Sequence, residues 1–306
     1  MTGQYYSTVD GQKIFCHQWE VANPRAIVLV AHGGAEHGGR YASMAMGLNQ
    51  AQFSVWAADH RGHGESVLPD CDLGNMGAEN VWQHVVSDMV TLAQNIHTSK
   101  PGIPVFLLGH SLGSLVAQIV LIEHSSLFSG AILSGSPSLE TFAALKPVLN
   151  ALIDANGRQA VDDNLQAELI SNFNSAFENP RTDADWISTE ETEVDRYKAD
   201  PLCDFAYPNG VWLDIIMASE VTTDVQSLSN IDSAFPIYIF SGEKDPVHLN
   251  QTGLETLVEQ YKSAGLQDIT LTIYPEGRHE MFNEKQRAKV VSDLAGWLNN
   301  KLPATA

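Results

Sequence analysis

The fold of this chain is decided by the stretch Val105-Phe106-Leu107-Leu108-Gly109-His110-Ser111-Leu112-Gly113. A short apolar run, typical of a buried strand, leads into Gly-x-Ser-x-Gly, and a helix-like pattern follows from Leu115 to Ile122. This order predicts a strand, a sharp turn and a helix, with Ser111 at the turn in a strained backbone conformation. A Cβ at Gly109 or Gly113 would collide with the neighbouring strand and helix, so glycine is needed at both positions.

The turn predicts a nucleophile. It lifts the Ser111 hydroxyl out of the sheet, and the start of the following helix points backbone N–H groups at the same place. The alternative is a Gly/Ser turn in a packing loop, which the strand before and the helix after argue against. We therefore predict that Ser111 is a catalytic nucleophile.

A serine nucleophile needs a base, and the base needs a third group that orients it. On a sheet of this kind the acid follows a late strand and the histidine follows the last strand. Asp245 lies in a turn after the strand-like run Ile237–Ser241, and His279 lies between the strand-like run Ile269–Tyr274 and the final helical pattern. These positions predict a triad of Ser111, Asp245 and His279.

Two residues near Asp245 are alternatives for these roles. Glu243 could be the acid, although Asp245 before a proline is the better turn residue. His248 could be the base, but it is so close to Asp245 in sequence that the third corner of a triad would be missing.

A glycine-rich segment, His32–Tyr41, follows the strand-like run Ala26–Ala31. Glycines there allow backbone N–H groups to approach a substrate oxygen, and one of them would join the N–H of Leu112 in an oxyanion hole. Phosphate binding is disfavoured because the Gly-x-Gly-x-x-Gly and Gly-Lys-Ser/Thr spacings are absent. A metal site is disfavoured because no His-Glu-x-x-His helix accompanies the local histidines, which are His32, His37, His60 and His63.

The remaining pattern predicts an α/β fold. Continuously apolar strands separated by amphipathic helices are typical of a mostly parallel sheet with helices on both faces. The strand-like runs are Lys13–Trp19, Ala26–Ala31, Phe53–Ala57, Val105–Leu108, Ala131–Ser134, Ile237–Ser241 and Ile269–Tyr274. A hairpin with Asp10-Gly11 at its turn is expected to pair Tyr5–Val9 with Lys13–Trp19.

The alternation of strands and helices stops between residues 136 and 232. This stretch has only helical patterns: Leu139–Ile153, Val161–Phe173, Val194–Ala199 and Val211–Ser219. We predict a core domain of residues 1–135 and 233–306, and a helical lid of residues 136–232 above the carboxyl ends of the strands. Residues 135–232 carry 18 acidic and 5 basic side chains, so the predicted lid is strongly negative.

Composition narrows the class of protein. The formal net charge is −20, which argues against binding to nucleic acid and against electrostatic docking on anionic lipid. We expect no secretory signal and no transmembrane segment, because the first 13 residues are polar and no apolar run is long enough. Three widely spaced cysteines predict reduced thiols and a cytoplasmic location. The sequence leaves the oligomeric state open.

Five ordered motifs carry a resemblance that covers nearly the whole chain. They are His32-Gly33-Gly34-Ala35-Glu36-His37, Asp59-His60-Arg61-Gly62-His63-Gly64-Glu65-Ser66, Gly109-His110-Ser111-Leu112-Gly113, Asp245-Pro246-Val247 and Arg278-His279-Glu280. The chain resembles the α/β-hydrolase superfamily and, within it, the monoacylglycerol lipase and bacterial lysophospholipase group. Asp185-Trp186-Ile187-Ser188 and Asp200-Pro201-Leu202-Cys203 look like bacterial members.

The resemblance implies site residues and an activity. It implies Ser111, Asp245 and His279 as the triad, and the N–H groups of Gly34 and Leu112 as the oxyanion hole. Gly34 stands where many relatives carry alanine, and the segment 59–66 matches a loop that buttresses the site.

We expect a serine carboxylic-ester hydrolase that cleaves monoacylglycerol or lysophospholipid through an acyl-enzyme, with no metal or organic cofactor. Transient contact with micelles or membrane surfaces is compatible with this. The alternatives are a general short-chain carboxylesterase, a cofactor-free perhydrolase and, less in keeping with a complete triad, a non-catalytic binding protein. A serine at position 111 disfavours epoxide hydrolases and dehalogenases, which use aspartate, and Leu112 stands where proline iminopeptidases typically carry tryptophan.

Overall fold

A computed structural model describes residues 2–68, 71–138, 142–143, 145–249 and 251–302. Its centre is a sheet of eight strands in the order β1-β2-β4-β3-β5-β6-β7-β8. The strands are β1 Thr2–Ser7, β2 Lys13–Trp19, β3 Ala26–Ala31, β4 Phe53–Ala58, β5 Val105–His110, β6 Gly130–Ser134, β7 Ile237–Gly242 and β8 Ile269–Tyr274. The predicted α/β fold is therefore confirmed.

The sheet is mostly parallel. Strands β1 and β2 pair antiparallel, β2 pairs antiparallel with β4, and all the other neighbouring strands are parallel. The hairpin is present, but β1 ends at Ser7 rather than Val9. It ends there because Thr8 begins the turn, in which its N–H donates to Gln12 O at 2.9 Å and Gly11 has a φ of +85°.

Helices cover both faces of the sheet. The core helices are α1 Ala42–Gln50, α2 Val81–Ser99, α3 Leu112–His124, α9 Thr252–Ser263 and α10 Arg287–Lys301. These amphipathic helices bury their apolar faces, for example Met44, Ala45 and Leu48 on α1. All residues of β3, β4 and β5 are buried, because helices pack on both sides of these central strands.

The stretch 136–232, called the helical segment below, contains α4 Lys146–Asn156, α5 Asp163–Asn174, α6 Glu191–Ala199, α7 Asn209–Val221 and α8 Val225–Leu228. In its described residues there is no strand, only an isolated bridge between Val161 and Pro208. Residues 139–141 and 144 of the predicted helix Leu139–Ile153 lie outside the described residues. Its later part corresponds to α4, which begins at Lys146. Helix α5 begins at Asp163 rather than Val161, because the Asp162 carboxylate caps it by accepting from Leu165 N.

In the described part of the chain, no helix combines the length and the apolar character needed to cross a membrane.

Candidate active site

Ser111 stands between the end of β5 and the start of α3, with φ 51° and ψ −118°. Such backbone is strained for a non-glycine residue, and close packing around the turn holds it. A Cβ on Gly113 would lie 2.0 Å from the carbonyl oxygen of Ala31 in β3, and one on Gly109 would lie 2.3 Å from Gly113 O. The predicted strand, turn and helix are present, and both glycines are needed for the predicted steric reason.

His279 follows β8 and reaches the same cavity as Ser111. The ring of His279 is almost completely buried and lies 5.0 Å from the Trp186 ring, centroid to centroid. Among the described residues, the Ser111 hydroxyl has no hydrogen-bond partner. Catalytic hydrogen bonds are often long in ligand-free enzymes and shorten when substrate is bound.

Asp245 is the partner of His279. Its Oδ2 lies 2.9 Å from His279 Nδ1, and it also accepts from the Ser241 hydroxyl at 2.6 Å. The other oxygen, Oδ1, accepts from Val247 N at 2.9 Å. The carboxylate is fully buried, so its contacts fix the His279 ring and place the ring proton on Nδ1.

The two groups shift each other's pKa. Burial alone would raise the pKa of Asp245, but the charge of His279 and its hydrogen bond hold that pKa well below the usual range. Burial alone would lower the pKa of His279, but the Asp245 charge and hydrogen bond raise it above 6.5. The pair therefore stabilises a protonated His279 beside an ionised Asp245.

The alternative acid and base lie differently. His248 uses both ring nitrogens elsewhere, with Nε2 2.9 Å from Gly242 O and Nδ1 accepting from Gln251 N at 2.8 Å. Its Nε2 is 3.9 Å from Asp245 Oδ2. Glu243 is exposed and accepts from Glu276 N at 3.1 Å. The structure thus brings Asp245 and His279 together and leaves Glu243 and His248 outside that contact.

In the glycine-rich loop after β3, the backbone N–H groups on both sides of Gly34 donate to side chains. Gly33 N donates to Glu36 Oε1 at 2.6 Å, and Ala35 N donates to the Tyr207 hydroxyl at 2.8 Å. Among the described residues, neither Gly34 N nor Leu112 N has a hydrogen-bond acceptor. Two unpaired amides at a helix start and a glycine loop can stabilise an oxyanion.

A buried ion network supports this loop. Arg40 pairs with both oxygens of Glu280 at 2.6 and 2.7 Å and with Glu36 at 2.6 Å, and Tyr41 donates to Glu36 at 2.9 Å. Burial would raise the pKa of Glu280, but Arg40 lowers it to about 2. Sequence reasoning quoted Glu36 and Glu280 within motifs without giving them roles, and it missed Tyr207, which lies 172 residues from Ala35.

The four histidines considered for a metal make hydrogen bonds to protein groups, and His63 does so through Nδ1, which lies 3.0 Å from Arg61 O. His32 Nδ1 lies 2.7 Å from Gly33 O, its Nε2 accepts from His60 N at 2.9 Å, and His60 Nε2 lies 3.2 Å from His32 O. Burial lowers the pKa of His60 to about 3. His37 Nε2 lies 3.0 Å from Asp200 Oδ2. In segment 59–66, the Asp59 carboxylate accepts from the backbone N–H groups of residues 38 and 65.

A cavity above Ser111 encloses about 840 Å³ of empty space when the open space at its mouth is included. Most of the apolar side chains that line it come from the helical segment. The apolar lining residues include Leu112, Leu115, Pro137, Phe142, Leu169, Ile170, Phe173, Trp186, Ile187, Trp212, Ile215 and Val247. The polar lining residues are Glu36, His110, Ser111, Gln166, Tyr197, Tyr207, His279 and Glu280.

Direct contacts tie the helical segment to the loop that carries His279. Glu280 N donates to Ile187 O at 2.7 Å, and Glu284 accepts from the N–H groups of Thr189 and Arg278 at 2.9 Å each. The Arg278 guanidinium lies 4.0 Å from the centre of the Phe177 ring. These contacts position the segment 185–189 over the catalytic histidine candidate.

The chain as a whole is similar to known lipases and esterases. Residues 22–286 match the sequence signature of the family described as serine aminopeptidase, S33. The chain is 29% identical to the monoacylglycerol lipase of Mycolicibacterium smegmatis over 97% of this chain and 96% of that protein. It is 30% identical to the monoglyceride lipase of Homo sapiens over 95% of this chain and 88% of that protein. A solved carboxyl esterase from Bacillus coagulans, in complex with glycerol, superposes with a TM-score of 0.90 at 28% identity, covering 99% of this chain and 100% of that one.

Proposed function

We infer the function of this chain from the premise that it belongs to the serine aminopeptidase S33 family of α/β hydrolases, in the monoacylglycerol lipase group. It is a serine hydrolase that acts on carboxylic esters and cleaves monoacyl lipids to a fatty acid and an alcohol. Relatives named as monoacylglycerol or monoglyceride lipases match nearly the full length of the chain.

The roles of the individual residues are our proposal. Ser111 Oγ attacks the ester carbonyl, while His279 Nε2 takes the hydroxyl proton and then gives it to the leaving alcohol. Asp245 holds the imidazole in the tautomer with the proton on Nδ1 and stabilises its charged form. Water then attacks the acyl-enzyme in the same way and releases the fatty acid. The 2.9 Å contact between Asp245 and His279 is the observation that carries this assignment.

The carbonyl oxygen becomes negative in each of the two attacks. Gly34 N and Leu112 N would donate to it, and the absence of another acceptor for either among the described residues supports this role. Fixed donors that need no rearrangement stabilise such charge strongly in a site shielded from water.

The residues that line the cavity suit both parts of a monoacyl ester, its acyl chain and its alcohol. The many apolar lining side chains suit an acyl chain, and polar lining groups such as Glu36 and Glu280 suit a hydroxylated alcohol. We therefore propose monoacylglycerol, rather than lysophospholipid, as the preferred ester. The helical segment 136–232 would act as the lid that supplies most of the apolar side chains.

Two further points rest on the sequence. The cytoplasmic location is a prediction from cysteine use, and Cys16, Cys71 and Cys203 are free thiols in this structure.

The core and lid boundaries proposed for residues 1–135, 136–232 and 233–306 can be tested by limited proteolysis, which should cut first in the helical segment.

A fluorophosphonate probe tests the nucleophile directly. The wild-type chain should be labelled at Ser111, and Ser111→Ala should not be labelled. The substrate is then tested by comparing kcat/KM on a monoacylglycerol, a lysophosphatidylcholine of equal chain length and a short p-nitrophenyl ester. A preference for the p-nitrophenyl ester would favour a general carboxylesterase, and failure of labelling would contradict the serine mechanism.

A further inference from the structure

Tyr207 lies in the helical segment just before α7, and its buried hydroxyl reaches the loop that follows β3. From this contact we infer that Tyr207 is a positioning residue, whose hydroxyl fixes the Ala35 amide and thereby aims the N–H of Gly34 at the oxyanion. The inference rests on the proposed function, because it concerns the same oxyanion hole.

The backbone donors on both sides of Gly34 are tied. Gly33 N is held by Glu36 at 2.6 Å and Ala35 N by Tyr207 at 2.8 Å, while Gly34 N has no acceptor among the described residues. Fixing the two flanking peptide planes restricts the orientation of the amide between them. Tyr207 and Glu36 thus leave one donor free and limit where it can point.

The conformation of Ala35 shows why an anchor is needed. Its φ is +52°, in the left-handed region that an alanine enters only at a cost. A buried N–H without an acceptor would cost more free energy still. The Tyr207 hydroxyl satisfies that N–H and so stabilises the conformation that presents Gly34.

The direction of the hydrogen bonds is fixed by His63. The N–H of Ala35 donates to the Tyr207 oxygen, and the Tyr207 proton is directed to His63 Nε2 at 2.7 Å. His63 can accept because its Nδ1 lies 3.0 Å from Arg61 O and carries the proton. Burial lowers the pKa of His63 to about 4, so the ring is neutral at physiological pH. The hydroxyl therefore has one stable orientation.

The missing side chain at Gly34 makes room for this hydroxyl. A Cβ on Gly34 would lie 3.2 Å from Tyr207 Oη, closer than ordinary van der Waals contact. Glycine at 34 and tyrosine at 207 therefore fit each other. Pro208 bridges to Val161, and Asn209 N donates to Ala160 O at 2.8 Å, so the backbone that follows Tyr207 is also held.

The test begins with Tyr207→Phe, which removes the hydroxyl alone. We expect kcat to fall about 10-fold with KM changed less than about 2-fold, a smaller loss than the 10²–10³-fold that removal of an oxyanion donor costs. Tyr261→Phe is the matched control, because the Tyr261 hydroxyl is buried in α9 and has no hydrogen-bond partner among the residues that the structure describes. It should leave both constants unchanged.

Two inhibitors separate positioning from a merely structural effect. An alkyl trifluoromethyl ketone forms a hemiketal with Ser111, in which the ketone oxygen becomes an oxyanion. A non-hydrolysable ether analogue of monoacylglycerol resembles only the ground state. In Tyr207→Phe the Ki of the ketone should rise by the factor by which kcat/KM falls, and the Ki of the ether should stay within about 2-fold. A fall in melting temperature with both Ki values unchanged would overturn the inference.

Two double-mutant cycles test whether Tyr207 is coupled to His63 and to Gly34. His63→Leu should lower kcat less than Tyr207→Phe, and the double variant should be no slower than Tyr207→Phe alone, because the two groups act in one chain. Gly34→Ala should lower kcat in the wild-type background and cost less beside Tyr207→Phe, which removes the crowded oxygen. Additive losses in both cycles would contradict the inference.

Failure of the function and failure of the inference give different results. A wild-type chain that is not labelled at Ser111 would overturn both. A wild-type chain that is labelled and hydrolyses the ester, beside a Tyr207→Phe variant of equal kcat and equal affinity for the ketone, would overturn the inference alone.

Discussion

Asp245 Oδ2 and His279 Nδ1 lie 2.9 Å apart, although 34 residues separate them in the chain. Both groups are buried, and Asp245 is held in addition by Ser241 and Val247. The pair is therefore rigid before any substrate is bound. The acid, the base and the pH dependence of the reaction can therefore each be tested by substitution of one residue.

Replacement of the proposed nucleophile or base should abolish most activity. Ser111→Ala and His279→Ala should each lower kcat by roughly 10⁴-fold or more, and the double variant should lose little further, because the groups act as a unit. Steady-state kinetics on a monoacylglycerol measures this, with circular dichroism to confirm folding. Losses that multiply in the double variant would contradict a joint mechanism.

The assignment of the acid is tested by two matched amide substitutions. Asp245→Asn should lower kcat strongly, though less than His279→Ala, since the imidazole still sits near the serine. Glu243→Gln should be close to wild type, because Glu243 is exposed and its carboxylate accepts from Glu276 N rather than from the His279 ring. The reverse order of the two effects would show that Asp245 is not the acid.

The pH profile should report His279. A general base must be neutral, and the Asp245 charge raises the pKa of His279 above 6.5. We therefore expect kcat/KM to fall as the pH drops through that raised pKa and to level off above it. In Asp245→Asn the charge is gone and burial dominates, so the acid limb of the residual activity should move to lower pH. Profiles of both proteins between about pH 5 and 9 test this, and a shift to higher pH would contradict it.

Cys203 should have no part in the chemistry. It is buried beside Ala184, Ile187, Val194 and Tyr197, and burial raises the pKa of its thiol. Cys203→Ser should keep most activity, and Cys203 should react with maleimide more slowly than the more exposed Cys71. Mass spectrometry of the labelled protein gives both rates. An inactive but folded Cys203→Ser protein would overturn this prediction.

The negative charge of the helical segment should select against anionic head groups. Its five basic side chains are paired, for example Arg158 with Asp214 at 2.7 Å and Lys146 with Glu220 at 2.7 Å, so the excess carboxylates stay uncompensated. Asp163 and Asp183 also line a second pocket, which shares Gln166 and Ile170 with the cavity above Ser111. Neutral monoacylglycerol or zwitterionic lysophosphatidylcholine should therefore be preferred to lysophosphatidylglycerol of equal chain length.

This preference should shrink with salt, because the Debye length is only about 8 Å at 0.15 M. The measurement is kcat/KM for the three lipids at low and high ionic strength, below their micellar concentrations. Equal rates at low salt would show that the charge of the helical segment points away from the entrance.

The sequence by itself determined the framework of the site. Apolar runs, glycine positions and helical spacing act between near neighbours in the chain, so they predicted the turn at Ser111 and the strand ends that carry Asp245 and His279. The steric need for Gly109 and Gly113 could be argued because a strand–turn–helix always brings the same backbone atoms together.

Only the tertiary structure decided what surrounds that framework. The contacts of Ala35 with Tyr207 and of Arg40 with Glu280 join residues 172 and 240 positions apart. Which side chains meet over such separations depends on how the helical segment packs on the sheet. Local periodicity does not encode that packing, because a tyrosine before a helix looks the same whether its hydroxyl meets solvent or a buried amide.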